Sequence, residues 1–413
     1  MFTRRQFVAT GAGALVASTL PRLARADVKT FQYAEFEQRI ARKDFRGMTK
    51  DVLPTPCMVV DIDLFDKNLR AMASYAKKAS IHLRPHVKVH KSVDVAKRQI
   101  ALGAIGLTTA TIAESELMSN AGIQGVLWTK QPASFNNLAR AIALTRKDPS
   151  FMFVVDDPRV VDLVQEAADA ARVRARVAVA VFAGLKRQGI ENGQPAVDLA
   201  KKIMASKNIQ LEGFMAYSGN ASHTRTFAAR RKQSETDLSG VSETIDLARK
   251  AGLPINIVSG GSTGTYNMDK QLGLTELECG SYVFMDSIYK GVGGESDDAV
   301  YTDFENSMSV LVTVDNNHHR GQVSTDYGNK ALARPTDTVK GKPWLKVGTE
   351  GAEYGILSWS DNGGEELRVG DRVEIYCSNL DMSTNCYDRY YVAKGNDIVD
   401  VWPIMGRGGA AQR

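Results

Sequence analysis

Eight short runs of apolar and β-branched residues recur along this chain. They begin at Cys57 (CMVVDID), Ile81 (IHLRPHV), Ala104 (AIGLTTA), Gly125 (GVLWTK), Phe151 (FMFVVDD), Arg176 (RVAVAVF), Leu211 (LEGFMAYSG) and Ile255 (INIVSGG). Between them, segments such as 64–79, 93–102, 113–121, 158–171 and 234–251 place apolar residues three and four apart, which predicts amphipathic helices. Strands covered by helices on both faces read as continuous apolar runs rather than as alternating ones. Eight of them over roughly 240 residues fit a (β/α)8 barrel of the TIM type. A doubly wound open sheet shows the same alternation. A Gly-rich turn after the last run favours the barrel, because barrels often bind phosphate in their final loops.

After about Glu305 the rhythm changes. MSVLVTVDN, RGQVSTDYG, EYGILSW, DRVEIYC, DRYYVAK and DIVDVWP are short segments separated by Gly, Asn and Asp, with no helical pattern between them. They predict a C-terminal all-β domain. The expected layout is therefore a barrel over residues 54–304 and a β domain over 305–413, with 27–53 packing on the β domain.

Residues 1–26 read as an address instead of a fold element. Arg4-Arg5-Gln6-Phe7, a small-residue apolar stretch and Ala24-Arg25-Ala26 have the pattern of a twin-arginine secretion signal with an A-x-A cleavage site. That route carries proteins already folded, often around a cofactor, so a periplasmic protein loaded in the cytoplasm is expected. The segment also explains the formal charge of +5. Arg4, Arg5, Arg22 and Arg25 supply four of those units, and the rest of the chain is nearly neutral. No nucleic-acid partner is expected from such a balance. No apolar run reaches the ~18 residues of a membrane span. The four cysteines are too scattered for a disulfide framework, although Cys377 and Cys386 are close enough in sequence to be clipped across a hairpin.

Two local constellations carry chemistry. Arg84-Pro85-His86-Val87-Lys88-Val89-His90-Lys91 crowds five basic residues at a predicted strand end, which in a barrel opens into the active-site mouth. A lysine among cations is expected to have a depressed pKa, as Schiff-base chemistry requires. By itself the octapeptide reads equally well as a solvated basic loop. The second is Val258-Ser259-Gly260-Gly261-Ser262-Thr263-Gly264-Thr265-Tyr266, whose glycines let backbone N–H groups approach an anion. A nucleophilic lysine and a phosphate cradle together point to pyridoxal 5′-phosphate.

LPTPCMVVDID, LRPHVKVHKS, ATIAESELMSNAGI, GLKRQGI, LEGFMAYSGNASH, VSGGSTGTYN, TELECGSYVFMD and CYDRYYV, in this order and spacing, resemble the D-threonine aldolase and D-serine dehydratase family over nearly the whole chain after residue 26. The resemblance implies a fold-type III pyridoxal-phosphate enzyme, with an alanine-racemase-like barrel, a C-terminal β domain and a homodimeric state. It makes Lys88 the Schiff-base lysine, with Val89 in place of the family's usual Thr. It places Arg187 at the pyridine nitrogen and Tyr217 beside the cofactor. Ser262, Thr263, Gly264, Gly280, Ser281 and Tyr282 fall around the phosphate, and His223 reaches the substrate β-hydroxyl.

The departure from the family lies at its metal site. Family members hold a divalent cation (manganese, magnesium or zinc) with a His-x-Cys or His-x-Asp pair near the C-terminus, and the corresponding positions here are Asn379 and Asp381. A neutral Asn oxygen is a much poorer ligand than imidazole. Tyr354 likewise stands where many relatives have histidine. A weakened, altered or absent metal site is the inference. The resemblance implies a lyase that cleaves a D-configured β-hydroxy amino acid to glycine and an aldehyde. β-Elimination by a dehydratase, racemisation, and a cofactor-binding protein without turnover are the alternatives.

Overall fold

The computed structural model describes residues 32–332, 338–360 and 366–407; the secretion signal read at residues 1–26 lies outside them. Eight parallel strands form the barrel: His82–Leu83, Leu107–Thr109, Val126–Trp128, Met152–Val155, Ala175–Ala180, Ile209–Ala216, Ile257–Gly260 and Glu276–Leu277. The first and second of these bracket the seam, where strand pairing gives way to a single bridge between His86 and Thr108 and a Thr108 N–H donated to the Pro85 carbonyl at 2.9 Å. Period-two alternation divides the strand side chains. Leu127, Met152, Val154, Ala178, Ala180 and Met215 form one cluster, while Phe153, Val155, Val177 and Val179 join the larger core under the helices.

Local signals start the helices. Asp61 accepts the Leu64 N–H at 3.2 Å and opens Ile62–Ala79. Thr111 and Glu114 form a reciprocal capping box at Ile112–Asn120, and Pro158 follows the Asp157 cap of Pro158–Ala171. One long-range device matters for the site. Arg230, fully buried on helix Phe227–Lys250, donates to the carbonyls of Gly264 (2.6 Å), Thr224 (3.1 Å), Val292 (3.0 Å) and Gly293 (2.8 Å). A planar five-donor fork suits this task, and it ties three loops to one helix.

The first apolar run has a different place from the one its periodicity predicts. Cys57–Asp61 is not a barrel strand. It lies in the middle of the nine-stranded C-terminal sheet, antiparallel to Met308–Asn316 and parallel to Arg389–Lys394. The eighth barrel strand is instead Glu276–Leu277, which pairs with both His82–Leu83 and Ile257–Gly260. Its first residue is an acid held inside by Arg84, whose Nε and Nη2 reach the Glu276 carboxylate at 2.7 and 2.9 Å. Two residues with a carboxylate carry no apolar signature. The β domain begins, therefore, with a strand from the N-terminal side of the barrel. Phe36, Met48 and Leu53 cover that sheet, packing with Leu311, Tyr391 and Ile398.

Candidate active site

The C-terminal ends of the barrel strands and one segment of the β domain enclose a cavity of about 490 Å³. Lys88, Arg187, Tyr217, His223, Ser262 and Thr263 line it, with Gly280 and Ser281 on the cradle side and Asn379 and Asp381 from the β domain. Gly264 and Tyr282 do not line it. Gly264 is packed so closely that a Cβ would meet the Ser222 carbonyl at 2.2 Å. The Tyr282 hydroxyl accepts from Gln99 at 3.1 Å, and its main-chain N–H donates to the Thr263 hydroxyl at 3.0 Å.

Lys88 stands on the one-turn segment Val87–Val89, after the first barrel strand. The His86 Nδ1 accepts its main-chain N–H at 3.3 Å. Its ammonium meets the Asp381 carboxylate at 3.2 Å. This contact reverses the electrostatics expected from the basic octapeptide. Burial is the largest single influence and works to lower the Lys88 pKa, but the Asp381 carboxylate and Tyr217 together outweigh it and the net direction is upward. The depressed lysine is Lys91, lowered chiefly by burial, and its ammonium donates to the Asp381 carbonyl at 2.8 Å and the Thr384 hydroxyl at 2.9 Å.

The cradle comes from the loops after the seventh and eighth barrel strands. Gly261 takes the left-handed conformation (φ +78°), and a Cβ at Gly280 would meet Val89 Cγ2 at 2.8 Å. Ser262 donates its main-chain N–H to the Thr265 hydroxyl at 3.1 Å, and Thr265 in turn donates to Asp269. On the other wall the Arg187 guanidinium lies 5.4 Å from the centre of the Tyr217 ring, and the Tyr217 and Ser222 hydroxyls are 3.1 Å apart. The His223 ring packs on Tyr289 with centroids 4.5 Å apart. Burial, followed by the Lys88 charge, holds its pKa below the ordinary imidazole range, so it is neutral at pH 7.

Glu278 is a site residue that the motif reading missed. It follows the unrecognised eighth strand, lines the cavity, and accepts from Ser259 Oγ at 2.7 Å. Identifying Glu276–Leu277 as a strand would have placed it at the barrel mouth. Burial pushes its carboxyl up to about 7, from an ordinary value of 4.5. The folded state thus keeps a proton that the unfolded chain releases, and the stability gained below pH 4.5 is lost as pH rises towards 7. Glu278→Gln cannot ionise, so it is expected to match wild type in melting temperature near pH 4.5 and exceed it at pH 8. The ceiling is about 3 kcal/mol; identical melting at both pH values would refute the burial argument.

A (β/α)8 barrel carrying a lysine and a glycine-rich loop at its strand ends, with a segment of a β domain lining the same cavity, defines the class of protein. The chain belongs to the family described as alanine racemase, N-terminal domain, which matches residues 60–288; a serine dehydratase domain matches residues 307–393. It is 30% identical over 370 residues to the 3-hydroxy-D-aspartate aldolase of Paracoccus denitrificans (strain Pd 1222), covering 88% of this chain and 94% of that one. It is 27% identical over 378 residues to the D-threo-3-hydroxyaspartate dehydratase of Delftia sp. (strain HT23), covering 85% and 97%. The crystal structure of D-threonine aldolase from Filomicrobium marinum superposes with a TM-score of 0.82 at 30% identity, covering 86% of this chain and 96% of that one.

Membership implies pyridoxal 5′-phosphate, and the residues present fit it: a cavity lysine, glycines that leave no room for a Cβ, and an arginine facing an aromatic ring. The metal expected of the family does not fit. The Asn379 Oδ1 accepts the Met382 N–H at 3.0 Å as the cap of Leu380–Ser383, and the Asp381 carboxylate is paired with Lys88. Tyr354 is exposed on strand Tyr354–Ser358 and lies outside the cavity. Among the described residues no group of three His, Cys, Asp or Glu is placed to hold an ion. No disulfide joins Cys377, which is buried, to the exposed Cys386.

Proposed function

We propose that this chain is a pyridoxal-phosphate-dependent lyase that splits a D-configured β-hydroxy amino acid into glycine and an aldehyde. The observation that carries this reading is that His223 lines the same cavity as Lys88. Bound pyridoxal phosphate supplies the electron sink for the bond broken at Cα. Lys88 holds the cofactor, the 261–265 and 280–282 loops hold its phosphate, and Arg187 and Tyr217 orient its ring. His223 takes the β-hydroxyl proton at its unprotonated ring nitrogen, the proton transfer that Cα–Cβ cleavage needs. The Tyr289 ring packed against it fixes the imidazole plane and keeps water off one face.

Elimination to a keto acid and ammonia is the second reading, supported by the dehydratase relative and by the serine dehydratase domain match. Product analysis separates the two. The cofactor-loaded protein is incubated with D-threonine and with 3-hydroxy-D-aspartate. Glycine with acetaldehyde or glyoxylate is the expected result. Ammonia with a keto acid moves the assignment to a dehydratase, loss of optical activity without cleavage moves it to a racemase, and an unchanged visible band with every amino acid leaves a binding protein. Homodimerisation and twin-arginine export to the periplasm belong to the same proposal. Replacing Arg4 and Arg5 together with Lys is expected to retain the protein in the cytoplasmic fraction; unaltered export would remove the second of these.

A further inference from the structure

One cation of the cavity has no counter-ion. Lys130 follows the third barrel strand, Val126–Trp128, and lines the cavity from its exposed rim. Among the described residues no hydrogen bond or ion pair holds its ammonium. The other two cations at the strand ends are engaged, Lys88 with the Asp381 carboxylate at 3.2 Å and Arg187 over the Tyr217 ring at 5.4 Å. The carboxylates that line the same cavity have other partners. Asp381 faces Lys88, Asp286 Oδ1 accepts the Tyr289 N–H at 2.8 Å, and Glu278 accepts from Ser259 Oγ at 2.7 Å.

The place of Lys130 on the barrel decides which anion it serves. Strand order puts the third strand opposite the seventh. The loops read as the phosphate cradle follow the seventh and eighth strands, so Lys130 faces them across the mouth and is no part of them. His223 follows the sixth strand, three strands around the rim from Lys130. A β-hydroxy amino acid held with its hydroxyl at His223 sends its side chain towards another wall, because the bonds of a tetrahedral Cβ diverge. We propose that Lys130 sets the substrate class: it binds a carboxylate on the side chain, which makes the preferred substrate a β-hydroxy dicarboxylic D-amino acid in place of D-threonine. The inference rests on the lyase reading for the role of His223 and names the substrate of that same site. A charge-assisted hydrogen bond inside a cleft is stronger than a neutral one, and a substrate ending in a methyl group leaves the ammonium unpaired.

The test reads binding and requires no cleavage. D-Aspartate and D-alanine lack the β-hydroxyl and differ only in the side-chain carboxylate. Their dissociation constants are taken from the change each produces in the visible band of the cofactor-loaded protein. Wild type is expected to bind D-aspartate at least about 10-fold more tightly than D-alanine, Lys130→Met to bring that ratio close to one, and Lys130→Arg to keep part of it. The ratio of kcat/KM for 3-hydroxy-D-aspartate over D-threonine is expected to fall in parallel in Lys130→Met. A wild-type ratio near one overturns the proposal. So does a ratio preserved in Lys130→Met, whether because neither amino acid is affected or because both weaken equally, as they do if the lysine serves the α-carboxylate. Failure of the lyase reading appears instead as absence of glycine from both β-hydroxy amino acids, with the binding ratio left standing.

Discussion

Lys88→Ala is expected to fold, to lose the visible band of the bound cofactor, and to form product at least about 10³-fold more slowly than wild type. The side chain lines the cavity from the turn after the first barrel strand, next to Asp381, whereas the other lysine lining the cavity, Lys130, follows the third barrel strand. Lys91 cannot replace it, because its ammonium is spent on the Asp381 carbonyl and the Thr384 hydroxyl. Borohydride treatment of the wild-type protein followed by peptide mass mapping should place the cofactor on the peptide that contains Lys88. Labelling at any other lysine, or retention of the band in Lys88→Ala, would sink the assignment.

His223→Ala is expected to lower kcat by roughly 10²- to 10⁴-fold while leaving the visible band in place, because the histidine acts on the substrate hydroxyl and does not hold the cofactor. The pH profile adds a sign. Burial and the nearby Lys88 charge both disfavour the imidazolium, and Asp381 opposes them only in part, so the His223 pKa lies below its ordinary 6.5. The base therefore stays unprotonated as pH falls through 6.5, and kcat should hold there and drop only at more acidic pH. A kcat that already falls by half at pH 6.5 would contradict the burial argument. An unaltered kcat in His223→Ala would show that the β-hydroxyl proton goes elsewhere, with Glu278 another acid-base group lining the same cavity.

Most of the barrel was legible because a strand covered on both faces writes its burial into its own residues. Phe151 through Val155 and Ala175 through Ala180 read as strands without reference to anything else. The same property misled the reading at Cys57–Asp61, since an apolar run reports that it is buried and not which sheet buries it. Glu276–Leu277 was invisible for the opposite reason: its burial depends on Arg84, which is distant in sequence. In the site, Lys88 and the 258–266 glycine turn were legible because backbone conformation and anion cradles are built from consecutive residues. Gly264 and Tyr282 were assigned to the cradle by position, while the packing of Gly264 against the Ser222 carbonyl and the bond from Gln99 to the Tyr282 hydroxyl are recorded in no local pattern.

The amino-acid sequence by itself determined the barrel rhythm, the β domain, the lysine turn and the phosphate-type loop, each from signals spanning fewer than about twenty residues. Only the tertiary structure decided that the strand at Cys57–Asp61 joins the β domain, and that the segment after Tyr376 folds back over the barrel mouth. Through that return, a residue 290 positions from Lys91 places its carbonyl on one lysine and its carboxylate on another. The physical reason is separation along the chain. The partner of a charged side chain is set by the path of the whole backbone, and no local pattern around Asp381 or Lys88 records it.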